Sequence, residues 1–150
     1  MNTQQIYRAM RHIDRFVGVF ARDKLPKKKI KIGSLIVNTD SSKEPGEHWV
    51  AIMISPSRIE YFDPFGLPPL HDDFLKFLKI QGSKLYYNNT TIQRISSKKC
   101  GKFCISYIKE RLKNISLEKF VEKFSEKSNS DVIVERLLKN DRCRRSRFLH

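Results

Sequence analysis

The sequence has little of what makes a chain loose, cross-linked or membrane-bound. Six Gly and six Pro in 150 residues are too few for a low-complexity or fibrous chain. A hydrophobic content of 39% with 11% aromatics excludes a disordered one. Three cysteines are an odd number and close no disulfide framework, so reduced thiols are expected. Cys100 and Cys104 have no second Cys or His pair at matching spacing, which argues against a structural zinc site; no metal is assigned. No apolar run approaches the length of a membrane-spanning helix, and the opening MNTQQIYRAMRH lacks the apolar stretch of a signal peptide. The expectation is a soluble intracellular chain with no membrane partner.

Acidic residues are also scarce. Sixteen Asp and Glu face thirty Lys and Arg, a formal charge of +14 with a pI near 9.9. Such an excess points to a polyanionic partner, nucleic acid being the commonest, although it also serves solubility. The length allows one core and one cleft. No repeat or internal linker divides the chain, so the reading is a single domain over 1–140 followed by a basic tail, 141–150, expected to be loose.

Ile6, Ala9, Met10, Ile13, Phe16 and Val17 recur at helical spacing and predict an amphipathic helix over 3–16. Lys27, Lys28, Lys29 and Lys31 then form a basic run beside Pro26, a solvated face or an anion-binding one. SLIVN, HWVAIMI and RIEYFD read as strands. The last two form a hairpin; a three-residue loop opposing Ile54 to Arg58 puts His48 opposite Pro64 and beside Asp63, at the open end of the sheet. Pro64 and Gly66 stop the strand there. Residues 71–80 predict a helix, LYYNNTTIQRI a further strand, and CGKFCISYIKERLK a core helix with Phe103, Cys104, Tyr107, Ile108 and Leu112 on one face. Short helices near 117–126 and 131–139 have Ser116 and Ser130 as candidate N-caps.

A thiol is nucleophilic as thiolate, and a helix N-terminus beside an imidazolium stabilises that anion. Cys100 sits where such a helix begins, with Lys98 and Lys99 adding positive potential and Gly101 leaving room for a peptide backbone. A buried, inert cysteine fits the same position. His48 opens its strand and Asp63 is placed to hold it; a carboxylate on the distal ring nitrogen fixes the tautomer that accepts a proton. A strand-end histidine and a turn aspartate without chemistry are the alternatives. Gln93, seven residues before Cys100, offers an amide for the oxyanion of a tetrahedral intermediate beside the Cys100 N–H, or is an exposed polar residue. Trp49 either packs in the core or covers the substrate cleft.

The stretches FVGVFARDKLP, LIVNTD, GEHWVAI, YFDPFG and IQRISSKKCGKFCISYI resemble the successive motifs of the adenovirus proteinase, adenain, and more distantly those of the SUMO-deconjugating cysteine proteases. The resemblance runs from about residue 17 to residue 108. It implies an α+β papain-like, adenain-like fold, a central mixed sheet of about five strands with flanking helices and the nucleophile at a helix N-terminus. It also implies that His48 is the general base, Asp63 its orienting acid, Gln93 an oxyanion donor and Cys100 the nucleophile of a thiol endopeptidase, with Trp49 and Gly101 in the substrate cleft. Adenain has Glu where this chain has Asp63, a change that the SUMO proteases share. This chain is shorter after the nucleophile and has no cysteine before it, where adenain bonds an activating peptide.

What the resemblance implies further is cleavage of viral precursor proteins at glycine-rich sites during virion maturation, in the host nucleus and the virion. It also implies duplex DNA as an activating cofactor, with Lys27, Lys28, Lys29, Lys31, Arg144 and Arg145 as candidate contacts and no small-molecule cofactor. The tail from Asp141 to Phe148 resembles the short basic, cysteine-bearing peptide that activates adenain, here built into the chain; a DNA-binding arm or nuclear-import signal has the same makeup. Two other functions stay open. One is a deconjugase of ubiquitin-like modifiers; the other is a basic nucleic-acid-binding structural protein.

Overall fold

The computed structural model describes residues 1–82, 84–125 and 129–148, with side chains described as far as residue 142. Helix α1 (Thr3–Met10) opens on a reciprocal cap: Asn2 Oδ1 accepts the Gln5 N–H at 2.9 Å and Gln5 Oε1 the Asn2 N–H at 2.8 Å. It buries Ile6 and Met10 and stops short of the predicted end, because Arg15 turns left-handed (φ 58°) and feeds Phe16 into a strand.

Strands β1 (Phe16–Ala21), β2 (Gly33–Asn38), β3 (Trp49–Ile54), β4 (Ile59–Phe62) and β5 (Leu85–Tyr87) form one sheet in chain order. The outer pairs, β1·β2 and β4·β5, are parallel and the two inner pairs antiparallel, the mixed sheet that was expected. The hairpin register differs from the expectation by one residue: Ile54 pairs with Ile59, not Arg58, so the loop holds four residues. The difference decides the site. A one-residue slip exchanges the faces of a sheet, and the expected register would have opposed Asp63 to Trp49, on the face away from His48. Extended past its last pair, Ala51 with Phe62, the observed register sets Asp63 opposite Val50 and His48 opposite Phe65. His48 and Asp63 then share a face.

Helix α2 (Asp72–Gln81) covers that face, its Phe74 and Phe77 packing against Leu35, Val37, Val50, Ile52 and Tyr61. Helix α3 (Cys100–Leu112) covers the other, with Phe103, Cys104, Tyr107 and Ile108 against Ile36, Ala51 and Phe62. Leu112, expected on the same stripe, is half exposed at the helix end. Burying aromatics such as Phe103 and Phe62 stabilises the fold by about 1.5–3 kcal/mol each. Far from Cys100, the buried carboxylate of Glu60 accepts Arg111 Nε at 2.7 Å and Nη2 at 2.9 Å, with Tyr107 Oη donating and Arg58 Nη2 at 2.8 Å. The predicted long strand after residue 84 ends at Tyr87, and 88–99 is irregular.

Helix α4 (Leu117–Glu122) is capped by Ser116, whose side chain accepts the Lys119 N–H. Helix α5 (Ser130–Phe148) corrects two expectations. Ser130 is the first residue of the helix rather than its cap, and the helix passes through residue 140 unbroken to Phe148, so 141–148 of the expected tail are helical. Asp141 shows why. Its buried carboxylate pairs with Lys109 at 3.0 Å and Lys113 at 3.1 Å on α3, and although burial pushes its carboxyl up, those lysines hold it below the usual range. No helix among the described residues is long and apolar enough to cross a membrane.

Candidate active site

The loop before β3 delivers His48 with a fixed backbone, its carbonyl accepting the Thr39 N–H at 2.9 Å. Across the sheet end, Asp63 Oδ1 lies 2.7 Å from His48 Nε2 and accepts the Phe65 N–H at 2.8 Å. Phe65 also stacks on the His48 ring, centroids 4.6 Å apart and planes 21° apart. Asn88 holds the carboxylate's backbone: its Oδ1 accepts the Asp63 N–H at 3.0 Å and its Nδ2 donates to the Asp63 carbonyl at 2.6 Å. Neither Asn88 nor Phe65 was singled out by sequence reasoning. Phe65 lies inside the PFG motif, whereas Asn88 carries no signal beyond being a polar residue at the end of a short strand.

Cys100 begins α3 and lines the same cleft as His48, whose ring acts on the thiol. With Nε2 engaged by Asp63, Nδ1 is the ring nitrogen left for the sulfur. Burial pulls the imidazolium down, but hydrogen bonds to Asp63 and Cys100 and their negative charges outweigh it and raise the ring to about 9. Burial also pushes the Cys100 thiol up; the His48 hydrogen bond, backbone bonds to Trp49 and Gly101, and the imidazolium charge bring it below its ordinary value. Both shifts favour the thiolate–imidazolium pair over the neutral one, and the charged pair is the reactive form of such a dyad. Cys104 is the internal contrast. It is fully buried on the same helix, its Sγ donates to the Trp49 carbonyl at 3.4 Å, and burial together with the neighbouring Cys100 and Asp63 charges raises its thiol.

Gln93 reaches the same cleft without a strand to carry it. Its N–H and that of Ile92 both bond to the Pro64 carbonyl, at 3.0 and 2.9 Å, which ties this segment to the Asp63 turn. The approach needs Gly66, at φ 73°, because a Cβ there would meet the Thr90 carbonyl carbon at 2.7 Å. Gln93 Nε2 donates one hydrogen to the Ser97 carbonyl at 2.7 Å, leaving its second for a ligand, and the Cys100 N–H at the helix start has no intrahelical acceptor. Cys100, His48, Gln93, Phe65 and Trp49 line one cleft of about 530 Å³. An open cleft holding a thiol–imidazole pair and two convergent donors can attack a carbonyl and hold the resulting oxyanion.

Trp49 packs in the core, one of the two readings offered for it, and also lines the cleft. It is only 5% exposed and packs on the α3 face, yet its edge borders the cleft and its Nε1 donates to the Met1 carbonyl at 3.0 Å. Gly101 is a correction. A Cβ there would meet Met1 Cβ and Ile6 Cδ1 at 3.3 Å, so the residue makes room for the N-terminal segment rather than for a peptide in the cleft. Lys27, Lys28, Lys29 and Lys31 are exposed on the loop before β2. That loop docks on α2, where Gln81 bonds Lys28 O and Ile30 N, and α5 packs against α3 on the opposite side of the sheet. The side chains of Arg144 and Arg145 lie outside the described residues.

A cysteine protease of African swine fever virus is 29% identical over 114 residues, covering 68% of this chain and 42% of that protein. A protease of bovine adenovirus 7 is 26% identical over 97 residues, covering 53% of this chain and 47% of that protein. The chain is related to the viral cysteine proteases. Counterparts in other African swine fever virus isolates, 28% identical, bear the name SUMO-1 cysteine protease. The crystal structure of the African swine fever virus protease shares the fold, with a TM-score of 0.52 at 24% identity over 67% of this chain and 40% of that one. No protein-family model matches. The chain spans less than half the length of these curated relatives.

Proposed function

We propose that this chain is a cysteine endopeptidase, a reading carried by one observation: His48, held by Asp63 at 2.7 Å, shares one cleft with Cys100 at the start of α3. The Cys100 thiolate attacks the scissile carbonyl carbon and a C–S bond forms, while the oxygen takes up negative charge facing the Gln93 amide and the Cys100 N–H. Collapse of that intermediate breaks the C–N bond as the His48 imidazolium protonates the leaving amine. Water, deprotonated by the neutral imidazole, then hydrolyses the thioester and restores the thiolate. Asp63 keeps the ring oriented and stabilises its positive charge throughout.

The substrates in this reading are viral precursor proteins cut at glycine-rich sites during virion maturation, in the host nucleus and the virion. Support comes from the adenain-like motifs and from Trp49 lining the cleft. Duplex DNA is proposed as a non-specific activating partner, supported by the +14 charge and the exposed Lys27–Lys31 loop. The relatives that carry a SUMO protease name favour a second reading, a deconjugase of ubiquitin-like modifiers using the same four residues. A panel pairing short diglycine peptides with fluorogenic modifier conjugates separates them. Turnover of the short peptides is expected; turnover confined to the conjugates supports the deconjugase, and none on either sinks both.

A further inference from the structure

The segment between oxyanion donor and nucleophile, 93–99, has neither strand nor helix to hold it, yet it must place two reacting groups. Gln93 is the exposed problem in that arrangement. Its side chain is buried, its one hydrogen bond among the described residues is Nε2 to the Ser97 carbonyl at 2.7 Å, and its Oε1 is buried without a partner. The amide's aim therefore depends on where Ser97 sits. Ser97 is in turn held by the C-terminal helix: its Oγ donates to Asp131 Oδ1 at 2.8 Å and accepts the Lys99 N–H at 3.2 Å. One turn further along α5, Glu135 Oε1 takes Lys99 Nζ at 3.1 Å and also Lys102 Nζ, which flank Cys100.

We propose that Asp131 is a positioning residue for the reaction: through Ser97 it fixes the Gln93 amide, so that α5 governs the acylation step without touching substrate. The proposal rests on the protease reading. A carboxylate–hydroxyl bond contributes little to stability by itself; its effect is on geometry, where a displacement of about 1 Å costs up to 10²-fold in rate. Asp131 is suited to the task because it stands in the first turn of a helix that Asp141 anchors to α3 further along. A carboxylate there is also favoured by the helix dipole. Charge and hydrogen bonding must therefore be separated in any test.

Asp131→Asn keeps an acceptor for Ser97 Oγ and removes the charge; Asp131→Ala removes both. Asp131→Ala is expected to lower kcat about tenfold with KM within about twofold, a modest loss on the scale of one oxyanion donor. Asp131→Asn should stay within about threefold of the parent chain. Iodoacetamide labelling of Cys100 at pH 6 should be unchanged in both, since His48 and Asp63 are untouched. If Asp131 acts through Ser97, Ser97→Ala/Asp131→Ala is no slower than the slower single variant. The Gln93 side-chain amide protons, followed by NMR, should exchange faster in Asp131→Ala. Parental kcat in Asp131→Ala overturns the proposal, as do equal losses in Asn and Ala variants or multiplying losses in the double variant; the protease reading survives each. A parent chain without turnover sinks the protease reading instead, and the Gln93 exchange rates alone then decide for or against the strut.

Discussion

His48 and Asp63 are joined at 2.7 Å although neither lies within a strand: β3 begins at Trp49 and β4 ends at Phe62. What joins them is the hairpin register extended one step past its last pair, with Asn88, just after β5, gripping the Asp63 backbone. The pair exists because the sheet stops where it does.

The first prediction concerns the two thiols of α3. Cys100→Ala should abolish peptide cleavage with the melting temperature kept, because it removes the covalent step and little volume. Cys104→Ala should retain turnover while lowering stability by about 1 kcal/mol for the small cavity it leaves. Parental turnover in Cys100→Ala would falsify the mechanism.

The second concerns pH. At low pH the Cys100 thiol is protonated, so kcat/KM should rise as pH climbs through its lowered value; it should fall again as the His48 imidazolium, raised to about 9, loses the proton owed to the leaving amine. Asp63→Asn removes a group that raises the ring while burial still lowers it, so the alkaline limb should move below 9. Turnover should also drop by roughly 10²–10⁴-fold, the range for losing such an orienting carboxylate. An alkaline limb that stays in place in Asp63→Asn would show that another group sets it.

Loss of the oxyanion donor gives a third expectation. Gln93→Ala should reduce the acylation rate by about a hundredfold with substrate affinity nearly kept. A change confined to KM would make Gln93 a binding residue instead.

Ile95 is 93% exposed at the lip of the cleft, an unusual setting for a large apolar side chain with nothing to pack on. Ile95→Ser should raise KM several-fold at constant kcat, since it removes contact with substrate outside the reacting atoms. Identical KM values across peptides of differing side chains would leave Ile95 without a part in recognition.

For the charge, fluorescence anisotropy with duplex DNA of unrelated sequences should show equal affinities that fall steeply with salt. Neutralising Lys27, Lys28, Lys29 and Lys31 should flatten that slope. Affinity independent of salt rules out the electrostatic account.

Much of this was legible in the sequence because it rests on local chemistry. Apolar β-branched runs such as SLIVN mark buried strands, and a cysteine opening an amphipathic run marks the start of α3. The register was not legible, since a three-residue and a four-residue loop around Ser55–Ser57 differ by no visible turn signal, and that single residue decides which face Asp63 occupies. The helicity of 141–148 was hidden by its basic composition; what extends the helix is Asp141 pairing with Lys109 and Lys113 some thirty positions earlier. Gly101 misled for a related reason: an absent side chain says that something approaches, and the approaching group is Met1 rather than substrate. Asn88 and Asp131 act through partners 25 and 34 residues away, a distance over which spacing carries no information.

The sheet order, β1 to β5 in unbroken chain sequence, bears on how the protein is born. Because each strand's neighbours are the strands made just before and after it, the sheet can zip up as the chain leaves the ribosome, with few distant pairings to wait for. The base and its carboxylate are laid down on that sheet well before residue 100 is synthesised. The thiol meets them only when α3 docks on β3, so a nascent or misassembled chain carries an ordinary cysteine. Chemical reactivity at Cys100 is then a certificate of completed folding.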